Sequence, residues 1–163
     1  MQFSAQEEYG LRCLLRIANE GADRTLTIPE IGQAEGLSIP YVAKMMRVLR
    51  RGGVVISTRG QAGGYRLARP PEEISVAEAL TVLGGRLFEG EFCERHSGTE
   101  DLCTHSVNCS IRSLWRSVQS VVDQLLRRTT LQDMLCDEKQ MDAFVSNLVA
   151  ITSDIQTKSH RLN

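Results

Sequence analysis

The stretch TIPEIGQAEGLSIPYVAKMMRVLRR, residues 27–51, contains the signals that decide the fold. Thr27 and Glu30 have the spacing of a capping box, in which each side chain accepts a hydrogen bond from the other residue's backbone N–H. Gly36 ends this short helix, and Ser38 is a suitable N-cap for a second helix that tolerates a proline in its first turn. Two short helices around a glycine-containing turn predict a helix-turn-helix.

The second of these helices, residues 38–51, has one apolar side and one basic side. Its apolar stripe consists of Val42, Met45, Met46 and Leu49. In a helix-turn-helix the second helix enters the major groove of DNA, where its exposed side chains contact base edges and phosphates. The candidate DNA-binding residues of this helix are Ser38, Tyr41, Lys44, Arg47 and Arg51.

Two β-rich runs follow at residues 54–58 and 65–68, joined by the segment RGQAGG at residues 59–64. The glycines permit positive φ angles and close backbone approach, so we expect a hairpin. A hairpin after a recognition helix is the wing of a winged helix. Arg59 at its tip is the candidate for the minor groove, where a narrow A·T tract concentrates negative potential.

The net charge of −1 conceals a basic N-terminal part. Residues 1–70 hold ten Arg and Lys against six Asp and Glu, and residues 71–163 hold nine against fourteen, so the two parts carry +4 and −5. No acidic residue lies between Glu35 and Glu72, whereas seven Arg and Lys do. A local basic surface is the electrostatic footprint of phosphate binding.

Outside this region, apolar periodicity predicts a first helix at residues 4–19, and a second capping-box pattern at Ser75 and Glu78 begins another helix. A long amphipathic helix starts at Ser110. Its apolar residues recur near every 3.5 positions up to about Leu135, which suits a helix packed against its copy in a homodimer. The candidate dimer-interface residues are Ile111, Leu114, Trp115, Val118, Val121, Val122 and Leu125.

The predicted fold is mainly α with a small β-hairpin wing, a winged helix-turn-helix plus a long dimerisation helix. The parts are a DNA-binding domain at 1–83, a cysteine-containing loop at 84–109, the dimerisation helix at 110–136, and a C-terminal helix and tail at 137–163. No stretch approaches the roughly 20 apolar residues of a membrane span, and no signal peptide is evident. We therefore expect a cytoplasmic protein without a membrane partner.

Three of the five cysteines, Cys93, Cys103 and Cys109, lie in one polar segment that is 17 residues long. Thiols stay reduced in the cytosol, and cysteine otherwise prefers burial, so this trio predicts a metal or cluster site. Zinc is an alternative to iron, because His96 and His105 lie beside the cysteines and three cysteines with one histidine form an ordinary zinc site.

These elements, in this order, resemble the Rrf2 family of bacterial winged-helix transcription regulators, which includes IscR-like and NsrR-like iron–sulfur proteins. The resemblance is most specific in the wing, Arg59-Gly60 followed by Gly63-Gly64-Tyr65, and in the cysteine trio between the wing domain and the long helix. It implies a homodimer that binds a near-palindromic DNA operator, with a cluster held next to the dimerisation helix.

The ligand set implied by the resemblance departs from that of IscR-like members. Nine residues separate Cys93 from Cys103 and five separate Cys103 from Cys109, and Arg112 stands where IscR-like members have a histidine ligand. Arginine does not lose its proton and cannot ligate. NsrR-like members use an acidic residue in the first helix of the other subunit, and the matching position is Glu8. Three thiolates and one oxygen suit a 2Fe–2S cluster, which we prefer, or a 4Fe–4S cluster.

The predicted function is therefore a repressor whose operator affinity depends on an iron–sulfur cluster that senses redox state, nitric oxide or iron. The alternative is a cluster-free winged-helix regulator that uses thiol oxidation, zinc or a protein partner. We find no nucleophile–base pair, and Gly60 to Gly64 lacks the lysine and following helix of a phosphate loop. We therefore predict neither an enzyme nor a small-molecule substrate.

Overall fold

A computed structural model describes the chain at residues 4–21, 24–60, 63–84 and 109–159, with side chains up to residue 150. These residues form six α-helices and one two-stranded antiparallel hairpin, so the fold is mainly helical, as predicted. No helix in the described part is long and apolar enough to cross a bilayer. The elements in chain order are α1 (Ala5–Asn19), α2 (Ile28–Glu35), α3 (Ile39–Arg51), β1 (Val55–Thr58), β2 (Gly64–Leu67), a 3-10 turn (Pro71–Glu73), α4 (Val76–Leu83), α5 (Ser110–Arg128) and α6 (Glu138–Ser159).

The capping box that begins α2 forms as predicted. The backbone N–H and the hydroxyl of Thr27 both donate to the Glu30 carboxylate, each at 2.7 Å, and the Glu30 N–H donates back to the Thr27 hydroxyl at 3.4 Å. The two bonds that the carboxylate accepts hold the pKa of Glu30 below its ordinary value, because they stabilise the charged form. The start of the helix-turn-helix is thus set by local side-chain chemistry.

The second predicted capping box, at the start of α4, forms only in part. The Ser75 hydroxyl accepts the Glu78 N–H at 3.2 Å, as an N-cap should. The Glu78 carboxylate instead pairs with Arg69, which follows the wing in the chain. The prediction for Glu78 was wrong because a guanidinium offers a carboxylate a charged partner that a backbone N–H does not.

The core lies between α1, α2, α3, the base of the wing and α4. Two close approaches depend on glycine: a Cβ on Gly10 of α1 would overlap Leu83 of α4, and a Cβ on Gly52 after α3 would overlap Val82. The largest fully buried side chains are Leu14, Ile17, Ile31, Met45, Met46, Leu49, Ile74, Leu83, Leu131, Val42, Val54 and Val55.

The wing is tied to the loop between α1 and α2. In the hairpin, Val55 lies opposite Leu67 and Thr58 lies opposite Gly64. Leu26 forms an isolated bridge with Tyr65, in which the Leu26 N–H donates to the Tyr65 carbonyl at 2.9 Å and the Tyr65 N–H donates back at 2.7 Å. Two backbone hydrogen bonds therefore hold the wing against this loop, although the strands of the wing are short.

The long helix α5 ends at Arg128, earlier than the segment 110–136 predicted for it. Two consecutive threonines follow, and β-branched residues favour extended backbone. The Val76 N–H donates to the Thr129 carbonyl at 2.8 Å, and the Leu131 N–H donates to the Ile74 carbonyl at 2.9 Å. The chain after α5 thus pairs with the start of α4, and Leu131 is fully buried in the core.

Leu131→Ala tests this attachment. Loss of a fully buried leucine should lower the free energy of unfolding by about 2–5 kcal/mol, because the truncated side chain leaves a cavity. Gln132→Ala, at the exposed neighbouring position, should change it by less than about 0.5 kcal/mol. Chemical denaturation of the three proteins measures the difference. Equal stabilities of the two variants would show that Leu131 does not anchor the end of α5.

Candidate nucleic-acid interface and metal centre

The recognition helix α3 separates its buried and exposed residues as the sequence predicted. Its apolar stripe is fully buried, and Ser38, which precedes the helix, is exposed and makes no side-chain cap bond with it. The exposed basic residues lie on the opposite face of α3 and at the tip of the wing. They are Lys44, Arg47, Arg50, Arg51 and Arg59.

Four of these cations make no salt bridge among the residues that the structure describes, namely Lys44, Arg47, Arg51 and Arg59. Arg69 differs, because it pairs with Glu78 and donates to the Glu73 carbonyl. Arg50 donates to the Ser57 hydroxyl of the wing at 3.4 Å. The structure thus divides the acid-free stretch into cations suited to phosphate contacts and cations with bonds inside the domain.

Tyr41 is placed differently from the other predicted DNA contacts. It is half-buried, and its ring packs edge-on against Tyr9 of α1, with centroids 5.5 Å apart and an interplanar angle of 80°. The Arg12 guanidinium lies 5.6 Å from the Tyr9 ring centroid and pairs with Glu35 at 3.1 Å. The Tyr41 ring therefore joins α3 to α1, and a base contact through its hydroxyl stays a prediction.

Sequence reasoning did not identify Tyr9 and Arg12 as part of this surface. Their spacing of three residues places them on one side of α1, which is a usable signal for a pair. What the sequence alone does not give is the crossing of α1 with α3 and α2 that brings Tyr41 and Glu35 to them.

The cysteine site is described at one of its three predicted thiols. Cys93 and Cys103, with His96 and His105, lie outside the described residues. Cys109 is the N-cap of α5; it is half-buried, and its sulfur accepts the Arg112 backbone N–H at 3.3 Å. The N-terminus of a helix favours negative charge, which fits a thiolate ligand. Among the described residues, no group of three or more His, Cys, Asp or Glu side chains forms a metal site.

Glu8 and its neighbour Glu7 lie on different sides of α1. Glu7 is buried; its carboxylate accepts the Ser4 N–H at 2.6 Å and lies against Gly84. Glu8 is exposed and lies away from the helix face that carries Glu7, Gly10 and Leu14. A carboxylate in this position is directed away from its own core and is available to a neighbouring molecule.

The two remaining cysteines do not resemble ligands. Cys13 is fully buried in α1, and burial, helped by the negative charge of Glu35, raises its pKa to about 11, so it stays a neutral thiol. Cys136 is exposed, and its thiol donates to the Asp133 carbonyl at 2.9 Å. Cys13 is thus a core residue, and Cys136 is an exposed thiol with a local backbone partner.

The predicted dimer stripe lies on α5, and three of its residues are well exposed. Ile111, Leu114 and Val121 expose 58%, 56% and 52% of their surface. Exposed apolar residues at spacings of three and seven lie on one side of a helix, and such a surface is typical of a protein interface. The half-buried members of the stripe are Trp115, Val118, Val122 and Leu125.

Comparison with known proteins places this architecture in one family. The family model for Rrf2, described as an iron-dependent transcriptional regulator, matches residues 3–137. Protein rrf2 of Nitratidesulfovibrio vulgaris is 32% identical over 137 residues, which cover 84% of this chain and 89% of that protein.

Solved structures agree with the sequence matches. IscR of T. potens is 30% identical, with a TM-score of 0.65 and coverage of 83% of this chain and 86% of that one. CymR, the global cysteine regulator of B. subtilis, is 26% identical, with a TM-score of 0.63 and coverage of 83% and 96%. The predicted resemblance, the winged-helix fold and the prediction of no enzyme are confirmed. The chain belongs to the Rrf2 family of winged-helix transcriptional regulators, which is a non-enzymatic, DNA-binding family.

Proposed function

We propose that this chain forms a cytoplasmic homodimer that represses transcription and whose operator affinity depends on an iron–sulfur cluster. The observation that carries the proposal is the position of Cys109. Its half-buried thiol caps α5, the helix that bears the exposed apolar stripe. A ligand on this sulfur is therefore joined directly to the proposed subunit interface. The description of the matching family as iron-dependent supports the choice of metal.

The proposed ligands are Cys93, Cys103, Cys109 and Glu8 of the other subunit. Three thiolates and a carboxylate fit iron in a 2Fe–2S cluster, which we prefer to 4Fe–4S. When bound, the cluster supplies a centre sensitive to redox state and nitric oxide. The protein contributes the Arg112 backbone N–H, which stabilises a negatively charged Cys109 sulfur.

Residues of this chain connect α5 to the DNA-binding core. A bound group changes operator affinity only if it favours one arrangement of the two recognition helices over another. The segment after α5 pairs with the start of α4, and Leu131 lies in the same buried cluster as Met45 and Met46 of α3. A change in the direction of α5 is thereby transmitted to the helix that enters the major groove.

The second candidate is a cluster-free regulator that uses thiol oxidation, zinc or a protein partner. Two observations favour it. Arg112 stands where IscR-like proteins have a histidine ligand. The similar solved structures also include CymR of B. subtilis, the global cysteine regulator. Both candidates use the same winged helix and the same cysteines, so they differ in what the cysteines bind.

Metal content and operator binding, measured on one preparation, separate the two candidates. Anaerobically purified protein should contain iron and acid-labile sulfide, and a gel shift should show different operator affinities before and after cluster removal. Cys109→Ser should lose the visible absorption of the cluster, since an alcohol is a poor iron ligand. Cys136→Ser, an exposed cysteine outside the trio, should keep it.

A colourless anaerobic preparation that resists reconstitution and still binds its operator would contradict the cluster proposal and favour the thiol-based regulator. Zinc at one atom per chain, without iron or sulfide, would favour a site of three cysteines and one histidine.

Mixed dimers test whether Glu8 acts across the subunit boundary. One chain carries Glu8→Ala and the other carries Cys109→Ser, and two different tags isolate the heterodimer. If Glu8 serves the other subunit, one site of the heterodimer has all four ligands and the second site lacks two. We expect about half of the wild-type iron and sulfide, whereas each parental homodimer loses its cluster.

A heterodimer without any cluster would show that Glu8 serves its own chain. A Glu8→Ala homodimer with an unchanged absorption spectrum and cluster lifetime would remove Glu8 from the ligand set. Glu72→Gln, an exposed carboxylate remote in sequence, is the control for loss of negative charge.

Arg59→Ala tests the wing. Arg59 is exposed and makes no salt bridge among the described residues, so we expect weaker operator binding and a salt dependence reduced by about one unit of slope per subunit. Arg69→Ala removes the same charge from a residue that is already paired with Glu78 and should leave the slope unchanged. Affinities at several salt concentrations give both slopes, and equal slopes for the two variants would exclude Arg59 from the DNA contact.

A further inference from the structure

The first residue of the recognition helix, Ile39, exposes 48% of its surface. It lies between the exposed Ser38 and Pro40, at the N-terminal end of α3. In a helix-turn-helix, residues at this end of the recognition helix contact base edges in the major groove. An exposed isoleucine on a soluble domain is ordinary by itself, so its position on the DNA-facing turn is what matters.

The end of the Ile39 side chain lies near α2. A Cβ built on Gly32 would lie 3.4 Å from the Ile39 Cδ1 atom and 2.9 Å from the Leu37 carbonyl oxygen. The Ile39 side chain therefore lies close to Gly32 of α2 at one end, while about half of its surface stays exposed. β-branching also restricts χ1, so the exposed part of the side chain is presented in a preferred orientation.

The exposed residues that follow Ile39 and Pro40 on α3 are cationic, so an apolar side chain at the start of the helix has a different role in DNA binding. Lys44 and Arg47 are exposed further along α3, and Arg59 is exposed on the wing. These cations place the domain on the phosphates without reading sequence. The major groove carries one apolar group that a protein can read, the C5-methyl group of thymine, and aliphatic side chains contact it.

We propose that Ile39 determines sequence specificity by contacting a thymine methyl group in each operator half-site. Ser38 next to it and Lys44 further along α3 offer polar contacts to base edges and phosphates, so Ile39 would add a base preference that they do not supply. The inference rests on the operator-binding part of the proposed function and does not depend on the cluster.

Replacing thymine by deoxyuridine tests the contact, because deoxyuridine keeps base pairing and removes only the methyl group. The full-length protein, anaerobically purified and in parallel cluster-depleted, first selects binding sites from a random duplex library. Each thymine of the enriched site is then replaced in turn. At one thymine or more per half-site, the wild-type affinity should fall about fourfold, which corresponds to about 0.8 kcal/mol for one methyl group.

The same duplexes are then measured with variants of two exposed isoleucines. Ile39→Ala should bind the thymine and uracil duplexes equally well, because the side chain that contacts the methyl group is gone. Ile56→Ala removes the same atoms from a 37% exposed isoleucine on the wing and should keep the fourfold difference. Ile39→Val removes only Cδ1, the atom that lies near Gly32 of α2, and should keep most of the difference.

Three results would overturn the inference. One is an enriched site in which no uracil replacement weakens wild-type binding. Another is a uracil effect of the same size in wild-type protein and Ile39→Ala, which would assign the methyl contact to another side chain. If Ile39→Ala unfolds, Ile39→Ser takes its place, and an unchanged uracil effect in Ile39→Ser overturns the inference equally. Failure of the library to enrich any sequence would remove the proposed operator binding as well, which distinguishes the two failures.

Discussion

The backbone pairing between residues 129–131 and residues 74–76 is the constraint that attaches the end of α5 to the winged-helix core. It is built from two hydrogen bonds of 2.8 and 2.9 Å and from the burial of Leu131. The helix α5 also packs along α4, and the pairing fixes the chain just after α5 to the start of α4. The chain that follows α5 is thereby attached to the core, where Leu131 lies in the same buried cluster as the apolar residues of α3. A packed interior transmits a displacement because it has few voids to absorb it.

Much of the winged helix could be predicted from the sequence because its signals are local. The capping box of Thr27 and Glu30, the Gly36 stop and the period of the α3 stripe each involve residues within one or two helical turns. The end of α5 could not be predicted in this way. Apolar periodicity continues beyond Arg128, and what stops the helix is pairing with Val76 and Ile74, more than fifty residues earlier in the chain. The Arg69–Glu78 ion pair could not be predicted locally either, because Arg69 takes the carboxylate that would otherwise complete the capping box of α4.

The candidate DNA surface was predictable for the same reason. Helical periodicity alone separates the buried stripe of α3 from Lys44, Arg47 and Arg51. Tyr41 shows where that reasoning ends: it lies at the edge of the stripe, and only the crossing of α1 with α3 shows that its ring packs on Tyr9. Cys109 at the start of α5 is placed by the fold, and Cys93 and Cys103 lie outside the described residues, so the cysteine trio is still known as a set from the sequence alone.

The two adjacent glutamates of α1 have different environments, and this difference leaves only Glu8 free to serve in the proposed ligand set. Successive helical residues are about 100° apart, so only one of them can belong to the buried face. Glu7 takes that place, where its carboxylate caps the helix at Ser4 and lies against Gly84. Glu8 is consequently directed away from the core of its own subunit. In the proposed dimer, a thiolate site completed by Glu8 of the other subunit would make cluster binding and subunit geometry depend on each other.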